Sequence, residues 1–298
     1  MRLWTTRPSA VRVMLASVRV LFVKQDHASP AGLVGDAFCD LGYDVSEFTV
    51  VPAERYHSPW VTAVFPSPGD YDAIVFFGAA WSVYDSATIG TWIGDEIAFA
   101  RSAHSLGVPL LGICFGGQML AAALGGSVSR APAPEIGWYV VDAGAPGASP
   151  ASGASGASGA SGASGLIDAG PWFQWHVDRF TVPASVPVLA RTALAPQAFS
   201  LGRTLGLQFH PDLTPEVLEC WLSAGGASQL AELGADAAAL MERTRSLAGG
   251  AAVRTRELVR RFVSDAARQP AVPLPAPGAA PAGGEPASPD ATVVTSPV

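Results

Sequence analysis

The chain is poor in charge and in cysteine. Of its 298 residues 14% are charged, and acids outnumber bases to leave a formal net charge of −7. That balance excludes nucleic acid or an anionic membrane as the main partner. Three cysteines, Cys39, Cys114 and Cys220, lie too far apart for a disulfide framework or a cysteine zinc site, and suit a reducing compartment. His27, His57 and His104 share no metal-ligand spacing, so neither a metal nor a cofactor is implied. No apolar run is long enough to cross a membrane. The first nineteen residues carry Arg2, Arg7, Arg12 and Arg19 and no acid, but the arginines break up any apolar core of a targeting peptide. Residues 1–16 therefore read as an N-terminal extension of a cytoplasmic protein.

What the chain does have is apolar residue, 49% of it, enough for one large or two small domains. Strand-like runs at 17–23, 45–51 and 71–77 alternate with helical periodicity at 31–42 and 92–106. The continuous run Ala73-Ile74-Val75-Phe76-Phe77 suits a strand covered on both faces. Strand and helix in alternation predict an open, mostly parallel α/β sheet with helices on both faces, whose ligands bind at the carboxyl ends of the strands. Beyond residue 130 the pattern changes to short strands at 137–141, 173–177, 186–190, 197–201 and 205–210. Helices are expected at 215–222, 235–247 and 253–267. Arg254, Arg256, Arg260 and Arg261 in the last of them read as a solvated face. One domain thus spans 17–267. An Ala-Ser-Gly triplet repeated five times over 151–165 interrupts it, and the whole of 145–165 reads as a flexible surface insertion with nothing to bury. From 268 the Pro/Ala-rich composition predicts a disordered tail.

The stretch Val108-Pro-Leu-Leu-Gly-Ile-Cys-Phe-Gly-Gly-Gln118 carries the chemistry. An apolar strand runs into Gly112, a cysteine follows two residues later, and Gly116 opens a helix. This is the thiol form of a strand–nucleophile–helix elbow, in which flanking glycines make room for a sharp turn. The turn lifts the sulfur over the sheet edge at a helix N-terminus, a position that favours the nucleophilic thiolate. A catalytic thiol needs a base. His210 closes the strand Leu205-Gly-Leu-Gln-Phe209 and would reach the same edge, with Asp212 placed to orient its ring as the third member of a catalytic triad.

Gly112-Ile113-Cys114-Phe115-Gly116-Gly117-Gln118 and Gln208-Phe209-His210-Pro211 resemble the two signature motifs of class I glutamine amidotransferases. Gly78–Asp85 resembles the oxyanion loop of that family. Glu135-Ile136-Gly137-Trp138 and Trp175-His176-Val177-Asp178 resemble motifs of its stand-alone branch, similar to the amidotransferase domain of GMP synthase. The resemblance runs in order from about residue 18 to 262 and implies a flavodoxin-like layering. It implies that Cys114 is the nucleophile and His210 the general base and then acid. The N–H groups of Ala79 and Phe115 would form the oxyanion hole, and Gly78, Gln118 and His176 would line the substrate pocket. Two positions depart from the pattern. Ala79 stands where the family has glycine, and Asp212 stands where it has glutamate, about 1.5 Å longer.

The implied reaction releases ammonia from the side-chain amide of glutamine through a cysteinyl thioester, with the acceptor unidentified. No synthase segment is recognisable, so an acceptor-activating synthase subunit would act in trans. Two alternatives stay open: a γ-glutamyl peptidase or hydrolase using the same thiol on another γ-glutamyl compound, and a catalytically silent binding or regulatory subunit.

Overall fold

The computed structural model describes residues 17–144 and 165–275. The expected extension at 1–16, nearly all of the insertion and the tail beyond 275 lie outside the described residues.

The first strands are β1 (Arg19–Lys24), β3 (Ala73–Phe76) and β4 (Leu110–Ile113), short and apolar, with the more polar β2 (Asp44–Thr49) at the sheet's edge. Between them run α1 (Gly32–Asp40), the single turn α2 (Ser86–Ile89) and α3 (Ile93–Ser105). The helix α4 (Phe115–Ala123) follows β4 after one residue. A long antiparallel ribbon, β5 (Ser127–Tyr139) with β6 (Trp172–Thr181), stands apart from the main sheet. The chain then returns through β7 (Val188–Arg191), β8 (Pro196–Leu201) and β9 (Thr204–Leu207). It ends in α5 (Pro215–Trp221), α6 (Ala227–Glu232) and the 32-residue α7 (Ala237–Arg268).

The main sheet has seven strands in the order β2-β1-β3-β4-β9-β8-β7. From β2 to β9 every pairing is parallel, and β8 and β7 add an antiparallel edge. Alternation along each strand divides the core in two. Leu21, Ile74, Phe76 and Leu110 pack with Phe99 and Ala103 of α3 and Met119 of α4. Val20, Phe22, Leu111 and Ile113 pack on the other face with Phe38 of α1 and Leu258 and Phe262 of α7. Each such side chain contributes about 1.5–3 kcal/mol by leaving water. The α/β architecture with helices on both faces is thus the one expected, and the strand order reverses direction at β1, next to β3. Crevices at such reversals are where open α/β sheets bind ligands.

Two expectations are corrected. The helices foreseen at 235–247 and 253–267 are one continuous helix, α7, because tertiary contacts override Gly249 and Gly250. Thr244, Ala251, Thr255, Val259, Phe262 and Ala266 form its buried stripe. Residues 268–275, foreseen as the start of a disordered tail, are held to the fold. Arg203 Nε donates to Gln269 O at 2.8 Å, and Leu274 packs against the core.

Candidate active site

The site grows from the junction of β4 and α4. Cys114 has φ 51° and ψ −107°, the one positive φ outside glycine among the described residues. A residue held there carries backbone strain, which is stored where the surrounding structure over-determines it. Two glycines do so. A Cβ on Gly112 would lie 2.5 Å from Gly116 O, and one on Gly116 would run into Phe76 O. Only hydrogen at both positions lets α4 start this close to β3 and β4. The Cys114 N–H is tied to Leu207 O at 2.8 Å, and its carbonyl starts the helix by accepting from Gln118 N at 2.9 Å.

His210 follows β9 by three residues and is fixed by its backbone N–H, which donates to Phe173 O at 2.8 Å. Its ring packs edge-on against Trp221 with centroids 4.6 Å apart. Nδ1 meets Asp212 Oδ1 at 3.2 Å, and both side chains are buried. Burial works against the imidazolium. The Cys114 thiolate and the Asp212 carboxylate outweigh it and push His210 up to about 10. The shorter acid therefore reaches the ring. Its own carbonyl accepts from Leu33 N at 3.1 Å, a contact that needs glycine at position 32, where φ is +47° and a Cβ would strike Asp212 O. Glu216, one turn on, is exposed and takes no part.

The loop after β3 carries Gly78 and Ala79. A Cβ on Gly78 would come within 3.0 Å of His210 Cε1 and 3.8 Å of Cys114 Cβ, so the loop abuts the Cys–His pair. Ala79 has no positive φ, so alanine in place of glycine brings no left-handed strain. The loop is pinned at both ends. Ser29 Oγ donates to Gly78 O at 2.8 Å, Ser82 Oγ donates to Asp178 Oδ2, and Tyr84 Oη donates to Asp178 Oδ1 at 2.9 Å.

Gln118 lies one turn into α4. Its Nε2 reaches Asp178 O at 3.3 Å and Gln208 Oε1 at 3.2 Å, and Gln208 Nε2 in turn lies 3.8 Å from Cys114 Sγ. His176 borders the cavity, but its ring is directed away into the β5–β6 ribbon. Nδ1 donates to Asp178 O at 2.9 Å, and Nε2 faces Glu135 Oε2 at 3.3 Å without hydrogen-bond alignment. Glu135 also accepts from Thr192 and Gln197. The side chain of His176 thus braces the ribbon while the residue still lines the cavity, and its Nε2 carries no hydrogen bond among the described residues.

Together these residues surround one cavity of about 350 Å³, into which Cys114, Phe115, Gly78, Ala79, Gln118 and His210 all open. Its size is at the small end for sites that take a metabolite. Several contributors are not singled out by the sequence, among them four with a polar group in the side chain. Asp26 and Ser29 come from the loop after β1, Asp178 from β6, and Trp221 from α5. Asp178 sits inside the motif Trp175–Asp178 with no role attached to it, whereas Asp26 sits in a stretch that looks like any polar loop. Among the described residues no three His, Cys, Asp or Glu side chains are grouped to hold a metal ion.

A strained thiol at a strand–helix elbow, with a histidine and an acid from the neighbouring strand end, is the arrangement that a cysteine nucleophile needs in an α/β enzyme. The family model for class I glutamine amidotransferases matches residues 37–220, and the chain belongs to that family. It is 34% identical over 185 residues to a glutamine-hydrolysing GMP synthase of Aeropyrum pernix, covering 58% of this chain and 33% of that one. It is 39% identical over 74 residues to one subunit of the glutamine-hydrolysing GMP synthase of Sulfolobus acidocaldarius, covering 24% of this chain and 36% of that relative. The chain thus spans about a third of the length of these curated relatives. A glutamine amidotransferase of Thermotoga maritima shares the fold with a TM-score of 0.68 at 24% identity, covering 84% of this chain and 99% of the other. One from Methylobacillus flagellatus does so at 0.64 and 21%, with 84% and 94% covered.

Proposed function

We propose that the chain hydrolyses the side-chain amide of glutamine and hands the ammonia to an acceptor-activating synthase subunit in trans, in the cytoplasm. The observation that carries this reading is the Cys114–His210 pair. A histidine pushed up to about 10 beside a thiol and a carboxylate is an imidazolium at neutral pH, so the acid of the first step is already charged. The Cys114 thiolate attacks the amide carbon, and the N–H groups of Ala79 and Phe115 stabilise the tetrahedral oxyanion. His210 gives its proton to the departing ammonia. The neutral imidazole then takes a proton from water, which attacks the glutamyl thioester and releases glutamate, restoring the ion pair. Asp212 holds the ring through both steps, while Gly78 and Gln118 line the substrate pocket. The Sulfolobus relative is one subunit of a GMP synthase, which favours a separate partner that supplies the acceptor.

The test is ammonia release from L-glutamine by the purified protein, together with alkylation of Cys114 by an electrophilic glutamine analogue. Turnover and labelling that both vanish in Cys114→Ser are expected. Labelling with turnover only after a synthase partner is added would support the transfer in trans. Release from γ-glutamyl amines or peptides but not from glutamine would move the chain to the γ-glutamyl hydrolases. Neither labelling nor turnover would mark a silent binding protein and overturn the proposal.

A further inference from the structure

The cavity has a carboxylate that the reaction does not use. Asp26 follows β1, lines the cavity and is 1% exposed. Its Oδ1 accepts from Ala28 N at 2.7 Å and lies 3.2 Å from Ser29 Oγ, while Oδ2 takes no hydrogen bond among the described residues. The single proton of Ser29 has a better acceptor in Gly78 O at 2.8 Å. One backbone N–H is therefore the only unshared donor to a buried carboxylate. Such a group costs stability unless something pairs with it. Among the described residues no cation pairs with it directly: Lys24 and His27 act on it only through charge, Lys24 is paired with Glu47 at 3.1 Å, and neither arginine nor lysine lines the cavity. The other carboxylates on its wall are taken, Asp178 by Ser82 and Tyr84 and Asp212 by His210.

We propose that Asp26 is the counter-ion for the α-ammonium group of the γ-glutamyl substrate and makes the site select for a free α-amine. The inference rests on the reading of Cys114 as the thiol that attacks the γ-amide. Ser29 joins the two ends of the site, because it bridges the Asp26 loop to Gly78, which borders Cys114 and His210. Asp26 and Cys114 line the same cavity, so a substrate with its amide at the thiol presents its ammonium within that cavity. Apart from His210, whose proton serves the amide step, neither lysine nor arginine lines the cavity among the described residues, so selectivity falls on the amine. Glutamine is accepted, and its desamino analogue glutaramate or an N-acylated glutamine is refused.

Binding to the full-length Cys114→Ser protein, measured by calorimetry, tests this without turnover. L-glutamine should bind about thirtyfold or more tightly than glutaramate, the loss expected when a buried charge loses its partner. In Asp26→Asn, which keeps the shape and the acceptor for Ala28 N, that preference should collapse while glutaramate binding is unchanged. Equal affinities for the two ligands, binding of neither, or a preference that survives Asp26→Asn would overturn the assignment. If the variant fails to fold, the comparison of glutamine, glutaramate and N-acetylglutamine on the parent protein decides alone. Ammonia release by the wild type reports separately on Cys114. A protein that binds glutamine through Asp26 but releases no ammonia keeps this inference and loses the catalytic one.

Discussion

Asp212 carries less weight here than an acid beside a serine–histidine pair, because a thiolate and an imidazolium stabilise each other. His210 is raised first by Cys114 and then by Asp212, in opposition to burial. Asp212→Asn removes one of the two raising charges, so the His210 titration, followed by NMR, should move down from about 10. Turnover should fall about a hundredfold, the low end of what an acid–base group contributes. Asp212→Glu restores the charge but must fit an extra methylene beside Leu33, and should recover part of the loss. A second buried acid does no chemistry. Glu96 of α3 accepts from Gln25 Nε2 at 2.7 Å, while Glu96 Oε2 and Gln25 Oε1 both lack a partner. Burial pushes Glu96 up to about 8, against the lowering effect of Gln25. A proton on Oε2 lets one O–H serve both orphaned oxygens. Between pH 4.5 and 8 the unfolded chain has released a proton that the folded chain keeps, so stability drains away as pH rises and levels off above 8. Glu96→Gln offers Gln25 an N–H that never titrates. Its melting temperature should exceed that of the wild type most above pH 8 and least below 4.5.

At the scale of elements, α7 shows how packing overrules local preference. Glycine within a helix costs about 1 kcal/mol relative to alanine. Gly249 has open space where a Cβ would go, and Gly250 would meet the far end of the Arg254 side chain at 3.2 Å. Gly249→Ala should therefore stabilise the protein by about 1 kcal/mol, read as a shift in the denaturant midpoint at constant slope. Gly116→Ala, by contrast, would force β3 and α4 apart and should abolish Cys114 labelling. The same contrast explains what can be read from the chain. The parallel strands and the elbow are legible because apolar runs and glycine spacing are local signals. Residues 127–136 of β5 are not, because Pro132 and Pro134 fall where the register with β6 shifts, between Arg130 and Glu135. Cys114, His210 and Asp212 announce themselves by motif, whereas Asp26 gains meaning only when β1 and β3 set its loop beside Gly78. His176 lines the cavity as its motif suggests, whereas its partner Glu135 shows only in three dimensions.

At the scale of the molecule, the β5–β6 ribbon delivers Trp175 and Asp178 to the cavity, so what joins its strands bears on the site. The described chain stops at Gly144 and resumes at Gly165. On either side it is already anchored without the segment between. Val141 N donates to Ala169 O at 2.8 Å, Asp142 exchanges backbone hydrogen bonds with Arg191 at 2.7 and 2.9 Å, and Leu166 and Ile167 are buried. The Ala-Ser-Gly triplets thus fall between two anchored stretches, with Gly165 O accepting from Arg261 Nη1 at 2.7 Å, and their composition supplies no large side chain able to add to a core. Closing a loop costs about 0.6 kcal/mol for each doubling of its length. Excising the five triplets more than halves the number of residues between the anchors. The shortened protein should gain on the order of 0.6 kcal/mol in stability, and Cys114 labelling and ammonia release should be unchanged. A shortened protein that melts normally but no longer labels would mean that the repeat itself reaches the site. Unchanged labelling would place the repeat outside the catalytic unit, whose geometry is then complete in the sheet, the ribbon and the helices that flank them.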